Sequence, residues 1–360
     1  MDKNTDFLII DGHHQLWDKY LQDKMAGGMK SFDKTYYPKL KKAGVRAINL
    51  VITRSHTVMC IDSYSELYFW NANKILDCLI NDLEQGCQTF KIIMHKEDLD
   101  DCIKEDKIAV MCTIENGRAL EGKENLNLLS SLRNLYRLGL RSVQLTGNGR
   151  NRIADGCAEE RTEAGITFFG VDLVKEMERL GVIIDTSALS DYGFYHLMEL
   201  TSKPVIDSHT GCKSLNQFTR CISDERIKAI AERKGVIGIS FLGELLNKDA
   251  VTAGMDDLIK NIEHVIEIAG IDCVALGPDF CEFDRINPLS KLRHPGWIEG
   301  ISYKCRENDY IEGITGIEEI HKIADKLIKK GYSESDIRKI MGENWIRVWK
   351  EILPSRESKN

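Results

Sequence analysis

Four short apolar runs in the sequence lead into side chains that can bind a metal ion. The runs span residues 7–10, 107–114, 204–208 and 273–277, and the side chains that follow are His13, Glu115, His209 and Asp279. Two imidazoles and two carboxylates form a nitrogen and oxygen ligand set that suits zinc or a similar divalent ion. An ion held by such a set lowers the pKa of its water towards neutrality, while a spare carboxylate moves the proton. These residue types predict metal-assisted hydrolysis, provided that the fold brings the four run ends together.

The remaining pattern indicates how the run ends meet. Short apolar, β-branched runs alternate with longer segments of helical period, which is typical of strand-then-helix units around a parallel sheet. The predicted strands span residues 7–10, 46–53, 107–114, 142–146, 182–185, 204–208, 235–241 and 273–277. The predicted helices span residues 64–84, 126–138, 170–180, 224–233, 256–268, 317–330 and 333–352. Eight units predict an α/β fold, a (β/α)8 TIM-like barrel of the metal-dependent hydrolase type, whose strand ends share one rim.

A doubly wound open sheet is the alternative fold. Its phosphate-binding signatures, G-x-G-x-x-G and G-x-x-x-x-G-K-[ST], do not follow any predicted strand in this sequence. The chain contains 6 prolines and no linker rich in proline, serine and glycine, so we predict one domain over residues 1–360. Residues 281–308 are too polar for the core and are predicted to form a long loop that could cover the site.

Composition narrows the class of protein and its partners. The 49 basic and 56 acidic side chains give a formal net charge of −7, which offers no attraction to nucleic acid phosphates. The 11 cysteines form no C-x-x-C pair, a pattern of reducing compartments. The start of the chain holds an apolar run much shorter than a secretion signal or a membrane helix requires. We therefore expect a cytoplasmic protein that binds neither nucleic acid nor membrane.

Each candidate residue also has a structural interpretation, because an aspartate or histidine at a strand end commonly caps a helix or bonds a loop. The joint placement of four such residues favours the functional interpretation. Neighbouring side chains in a strand point to opposite faces, so we interpret His14 as a residue that supports the ligands from behind or as a structural one. The same alternation places Asp207 on the face of His209, as a ligand or as a residue that orients one. Asp185 is interpreted as an N-cap or as a hydrogen-bond partner inside the barrel.

The other histidines and the cysteines near the rim are weaker candidates. The histidines lack a ligand partner at useful spacing and are interpreted as surface or satisfied residues: His56, His95, His196, His264, His294 and His321. A nucleophilic thiol is the less favoured alternative, since none of the rim cysteines lies beside an obvious base in sequence: Cys112, Cys157, Cys212 and Cys281.

Short motifs follow one another along nearly the whole chain. They are DGH at 11–13, IENG at 114–117, GITFFG at 165–170, PVIDSH at 204–209, GPDF at 277–280 and GENW at 342–345. In order and spacing they resemble the membrane (renal) dipeptidase family of zinc metallopeptidases. The resemblance implies a distorted (β/α)8 barrel with a two-zinc site and hydrolysis of dipeptides.

The resemblance also implies roles for individual residues. His13 matches a ligand of the first zinc, Glu115 the carboxylate that bridges both ions, and His209 a ligand of the second. Asp279 matches the acid/base that handles the proton of the attacking water. Arg220 matches the cation that receives the substrate's terminal carboxylate, and its structural interpretation is a surface charge. We therefore expect Asp279 and Glu115 as catalytic residues, Arg220 as the substrate-binding residue, and His13, Glu115 and His209 as metal ligands.

Four positions depart from the family pattern. Gln15 stands where the family's His-x-Asp motif has a carboxylate, and Ala188 stands where it has a zinc-binding histidine. Gly147 replaces a substrate-contacting histidine, and Leu242 replaces a tyrosine that lines the site. Each zinc position has thus lost one good ligand, and two close cations repel unless ligand charge offsets them. We expect one zinc ion rather than two.

Three functions remain open at this point. The first is hydrolysis of a dipeptide or small amide by metal-activated water. The second is a divergent reaction, such as a lyase or isomerase step, on a peptide-like metabolite at an altered or single-metal site. The third is a non-catalytic binding protein on the same scaffold. The expected partner is a small peptide-like substrate, and a homodimer is the assembly to test.

Overall fold

A computed structural model describes residues 7–15, 18–53, 65–121, 129–247, 253–280 and 310–357. The predicted loop at 281–308 lies outside these residues, as do His56, His294 and Cys281. The prediction of one domain over residues 1–360 stays a prediction.

Within the described residues, nine parallel strands form one sheet, which curls into a nearly closed barrel of eight. They are β1 (Ile9–His14), β2 (Val45–Val51), β3 (Phe90–Ile92), β4 (Ile108–Ile114), β5 (Leu140–Gln144), β6 (Ile183–Asp185), β7 (Ile206–Thr210), β8 (Val236–Ile239) and β9 (Val274–Leu276). Eight of them follow one another around the barrel in chain order, and they confirm the eight predicted strands. The prediction omitted β3. This strand pairs with the first half of β4, and β5 pairs with the second half. Three residues with a lysine at the centre are too short to give a strand pattern.

Helices connect the strands and cover the barrel. Those in the described part of the chain are α1 (Asp18–Met25), α2 (Ser31–Thr35), α3 (Tyr37–Ala43), α4 (Ser65–Glu84), α5 (Glu97–Lys104), α6 (Ser130–Leu138), α7 (Phe168–Leu180), α8 (Asp191–Leu200), α9 (Asp224–Glu232), α10 (Gly243–Leu246), α11 (Met255–Ala269), α12 (Lys322–Lys329), α13 (Glu334–Arg338) and α14 (Asn344–Ile352). Local sequence explains several boundaries. The side chains of Thr167, Ser190 and Ser223 accept from backbone N–H groups at the starts of α7, α8 and α9. The predicted helix at 333–352 is divided by a π-helical turn, Lys339–Glu343.

The barrel closes between β9 and β1 in two different ways. At the C-terminal strand ends, the backbone N–H of Asp279 donates to the carbonyl of His13 at 3.0 Å, and that of Gln15 to Phe280 at 3.3 Å. Nearer the other end, two side chains of α14 donate to carbonyls of β9, and the Trp345 ring also packs against Gly12 of β1. Asn344 Nδ2 donates to the Val274 carbonyl at 2.8 Å, and Trp345 Nε1 to the Leu276 carbonyl at 2.9 Å.

Below the rim, the barrel interior is apolar. We call this region the Trp345 layer; its buried side chains include Ile10, Ala47, Ala109, Ile206, Val236, Ala275, Trp345 and Trp349. A Cβ atom at Gly12 would lie only 2.2 Å from the Trp345 ring, so glycine is required there for the indole to enter. Gly12 directly precedes His13, and the indole therefore packs immediately beneath the first candidate ligand.

Candidate functional site

The three predicted metal ligands lie together at the rim of the barrel. His13 belongs to β1, Glu115 follows β4 directly, and His209 belongs to β7. Their ligand atoms all lie within 4.8 Å of one another. The two imidazole rings have centroids 3.8 Å apart. Both histidines are buried, whereas the Glu115 side chain is 14% exposed, which leaves the cluster open towards solvent on the glutamate side.

Ser208 determines how both imidazoles are turned. Its Oγ lies 3.1 Å from Nδ1 of His13 and 2.9 Å from Nδ1 of His209. Ser187 Oγ lies 3.3 Å from Ser208 Oγ and donates to Asp207 Oδ1 at 2.8 Å. The single hydroxyl hydrogen of Ser187 goes to the Asp207 carboxylate, so Ser187 accepts the hydroxyl hydrogen of Ser208. Ser208 Oγ has then no hydrogen left for the imidazoles, and it accepts an N–H from each ring. Both rings then carry hydrogen on Nδ1, and a neutral imidazole in this form has its lone pair on Nε2, where it can bind a metal.

This orienting role of Ser208 was absent from the sequence interpretation. Alternation along a regular strand would turn Ser208 away from His209, but the pairing of β7 with β8 shifts register between Asp207 and Thr210. The irregular strand lets consecutive side chains reach the interior. Asp207, interpreted as a ligand or an orienting residue, bonds Ser187 and thereby supports Ser208.

A single nitrogen of Gln15 lies among the candidate ligands. Gln15 Nε2 is 2.9 Å from Glu115 Oε2, 3.0 Å from Asp279 Oδ1 and 3.2 Å from His13 Nε2. The residue that departs from the family's carboxylate is thus in direct contact with the predicted ligands. Its amide brings two N–H donors to this cluster and no charge.

Asp279 joins the cluster from the loop after β9. Its Oδ1 lies 3.7 Å from His13 Nε2, and its backbone adopts the left-handed conformation with φ of 60°. The hydroxyl of Tyr310 donates to the Asp279 carbonyl at 3.1 Å. Burial raises the pKa of the Asp279 carboxyl well above its ordinary value, and the nearby charge of Glu115 raises it further. This carboxyl therefore binds a proton more tightly than an ordinary aspartate does.

Arg220 reaches the same cluster from the segment between β7 and α9. Its guanidinium is buried, and Nη2 lies 2.9 Å from both Nε2 and the backbone carbonyl of His209. The alternative of a surface charge is thus wrong. The lone pair of His209 that could bind a metal accepts from this arginine, so the two interactions exclude each other.

The other departures from the family pattern lie around the rim. Ala188 is buried with a φ of 61°, and its carbonyl accepts from the Cys157 N–H at 2.7 Å. A Cβ atom at Gly147 would lie 3.0 Å from Asn116 Nδ2. Leu242 forms an isolated bridge with Tyr310. A phenol therefore lies beside the position where the family has its tyrosine, supplied by a distant segment that the sequence interpretation did not single out.

Asp185 and Asp11 have structural roles. Asp185 Oδ1 accepts from the N–H groups of Ser187 and Ser208, each at 3.0 Å, as expected for a hydrogen-bond partner inside the barrel. Burial and the charge of Asp207 raise the pKa of Asp185 to about 6. His14 Nδ1 lies 2.6 Å from Asp11 Oδ2, which agrees with its structural interpretation.

The rim thiols are poor candidates for a nucleophile. Burial raises the pKa of the Cys112 thiol to about 12, and it raises the pKa values of the Cys157 and Cys212 thiols as well. Such thiols remain protonated at neutral pH. His196 accepts from the Ile166 N–H, and His264 lies 2.8 Å from Asp224, so both are satisfied away from the site.

Comparison with known proteins identifies relatives along the chain. A sequence model described as membrane dipeptidase (peptidase family M19) matches residues 4–293 and 302–360. A protein named dipeptidase tcpJ, from Claviceps purpurea, is 28% identical over 250 residues, which cover 68% of this chain and 53% of the relative. The match thus spans about half the length of that relative.

Solved structures share the fold. An amidohydrolase from Pseudomonas aeruginosa has a TM-score of 0.78 at 23% identity, over 97% of each chain. The probable dipeptidase PvdM from Pseudomonas aeruginosa has a TM-score of 0.79 at 19% identity, over 96% of each chain. A metallo peptidase from Rhodobacter sphaeroides, liganded with a phosphinate mimic of the dipeptide L-Ala-D-Ala, has a TM-score of 0.77 at 19% identity, over 96% of this chain and 99% of its own. These similarities establish the barrel fold.

None of the helices in the described segments is both long and apolar enough to span a bilayer.

Proposed function

Because the chain belongs to the membrane dipeptidase family, we propose that it is a metal-dependent hydrolase of a dipeptide or a similar small amide with a free carboxylate. The observation that carries this proposal is the convergence of one ligand atom each from His13, Glu115 and His209 within 4.8 Å. A set of two imidazole nitrogens and one carboxylate oxygen suits zinc, and it leaves a coordination position for substrate.

The donor set fits one divalent ion better than two. Ser208 holds both histidines in the tautomer whose Nε2 is a lone pair, which is the form that binds metal. Gln15 and Ala188 add no charge to offset a second cation. Zinc held by His13, Glu115 and His209 would supply a Lewis acid that makes water nucleophilic near neutral pH.

Asp279 is proposed to move the proton of the attacking water. As the new carbon–oxygen bond forms, its carboxylate takes the proton, and the resulting carboxylic acid gives it to the amine as the carbon–nitrogen bond breaks. Its raised pKa, caused by burial and by the charge of Glu115, makes this carboxylate a stronger proton acceptor than an ordinary aspartate. The Tyr310 hydroxyl supports the left-handed backbone on which the carboxyl is presented.

Arg220 is proposed to bind the terminal carboxylate of the substrate. A buried guanidinium has several N–H donors and can pair a carboxylate through two of them. A carboxylate that pairs with Arg220 would also draw Nη2 away from His209 Nε2. The dipeptide mimic held by the Rhodobacter sphaeroides metallo peptidase makes dipeptides the first substrate class to test.

The test is a panel of L,L- and L,D-dipeptides incubated with zinc-loaded protein, with amine release as the readout. We expect hydrolysis of at least one dipeptide, and a large loss in kcat for Asp279→Asn. Arg220→Met should raise KM for dipeptides far more than for dipeptide amides, which lack the carboxylate. Binding of dipeptides without hydrolysis by zinc-loaded protein would overturn the proposal in favour of a divergent reaction or a binding function.

A further inference from the structure

The Gln15 side chain faces more hydrogen-bond acceptors than its amide nitrogen can fully satisfy. Its Nε2 atom lies within 3.2 Å of three acceptors, on Glu115, Asp279 and His13. A carboxamide nitrogen has two hydrogens, so it can serve three acceptors only by sharing one hydrogen between two of them, which weakens both bonds. Two of the acceptors are carboxyl oxygens, and Gln15 itself is buried. The neutral amide therefore stabilises this cluster less well than a cation would.

The acceptors also determine which end of the carboxamide faces them. With the oxygen in place of the nitrogen, lone pairs would face the Glu115 and Asp279 carboxyls at about 3 Å, a repulsive arrangement. The nitrogen and oxygen ends have nearly the same size, so half a turn about the last side-chain bond exchanges them without repacking. A cation between the same acceptors would reverse the preference, since it attracts the oxygen and repels the N–H groups.

We propose that the Gln15 carboxamide competes with a divalent cation for Glu115, Asp279 and His13, and that it turns its oxygen towards this cluster when the cation binds. The inference rests on the proposed function for the identity of the cation, but the competition itself concerns the chain's own contacts. Gln15 would thereby weaken cation binding at this side of the rim, compared with a carboxylate at the same position.

The test compares Gln15→Glu with Gln144→Glu. Both glutamines are buried, but Gln144 Nε2 donates to a backbone carbonyl, that of Thr146, at 2.7 Å. In EDTA, both variants should unfold at lower temperature than the wild type, because each buries an added carboxyl group. With zinc, Gln15→Glu alone should regain stability, and its zinc affinity, from competition with a chromophoric chelator, should exceed the wild-type value by about tenfold or more.

A second readout follows the wild-type amide directly. The chain has few glutamines, so selective ¹⁵N labelling resolves their side-chain NH2 signals, and Gln15→Glu assigns the one from Gln15. Zinc should shift the Gln15 signal and leave that of exposed Gln217 unchanged. An unshifted Gln15 signal at saturating zinc, or equal zinc affinities of Gln15→Glu and wild type, would overturn the inference. Zinc binding by Gln15→Glu but not by wild type would support the competition and contradict the proposed zinc hydrolase.

Discussion

The Trp345 layer and the rim lie next to each other inside one barrel but are built on opposite principles. The Trp345 layer consists of close-packed apolar side chains beneath Gly12. The rim directly above it buries carboxyl groups, including Asp11, Asp185, Asp207 and Asp279. Apolar burial stabilises the fold whatever binds to it, whereas buried carboxyls lower stability unless they are paired or protonated. The apolar Trp345 layer therefore stabilises the fold, and the rim supplies the groups that can do chemistry at a cost in stability.

Truncation of a side chain in the Trp345 layer should have the largest effect on the free energy of unfolding. Trp345→Ala removes a fully buried indole and leaves the Leu276 carbonyl without its donor. We expect the free energy of unfolding to fall by about 3–5 kcal/mol in urea titrations. Trp70→Ala, at a side chain that is 67% exposed, should change it by about 0.5 kcal/mol or less. Equal losses in the two variants would contradict the assigned role of the layer.

At the rim, removal of a buried charge should instead raise the free energy of unfolding. Asp185 has a raised pKa, so the folded protein holds its proton more tightly than the unfolded chain does. Its contribution to stability is present below pH 3.8 and is lost as the pH rises through about 6. Asp185→Asn removes this loss, and the variant should gain about 3 kcal/mol relative to wild type between pH 4 and pH 7.

Urea titrations from pH 4 to pH 8 check this prediction. Asp172→Asn, at an exposed position of α7, serves as the matched control and should leave the wild-type profile unchanged. A variant Asp185→Asn that is less stable than wild type above pH 6 would instead mean that the charge of this carboxylate stabilises the rim.

A smaller expected effect is coupling between the binding of zinc and the binding of a carboxylate at the rim. Arg220 Nη2 and a metal ion compete for His209 Nε2, so a carboxylate that engages Arg220 should raise zinc affinity, by about fivefold or more. By reciprocity, zinc should raise the affinity for the carboxylate by the same factor. Calorimetric titrations with N-acetylalanine test the coupling, and N-acetylalanine amide is the control ligand. The coupling should vanish in Arg220→Met; its persistence there would assign it to another residue.

The smallest expected effect concerns the support of Asp279. Tyr310→Phe removes the hydrogen bond to the Asp279 carbonyl while keeping the ring packed on Phe280, with centroids 5.1 Å apart. The free energy of unfolding should fall by about 1 kcal/mol or less. Under the proposed function, kcat should fall more than KM rises, since the carboxyl loses its alignment and the substrate contacts remain. A change confined to KM would contradict the positioning role.

The sequence predicted the strands of the barrel more completely than the side-chain contacts at its rim. Eight strands, their order and the convergence of His13, Glu115 and His209 followed from apolar periodicity and from the rule that strand ends share one rim. The role of Ser208 did not, because it depends on an irregular register in β7 that breaks the side-chain alternation. Tyr310 was missed because an isolated bridge joins it to Leu242 across a long stretch of chain.

The contacts of Gln15 and Arg220 were also beyond the sequence. The pattern indicated that an amide had replaced a carboxylate, but not that its nitrogen would lie among three ligand atoms. Arg220 has the appearance of a surface charge, and only the folded segment after β7 turns it onto His209. Side-chain packing among distant segments decides such contacts, and local pattern carries no signal for it.

Diffraction at the zinc absorption edge, from crystals of protein supplied with zinc and never exposed to chelator, shows whether His13, Glu115 and His209 hold one ion. We expect one anomalous peak per chain, bounded by His13 Nε2, Glu115 and His209 Nε2, and its loss in Glu115→Gln crystals grown in the same way. Density for both histidines with no anomalous peak between them, or a peak at a site that excludes them, would contradict the account.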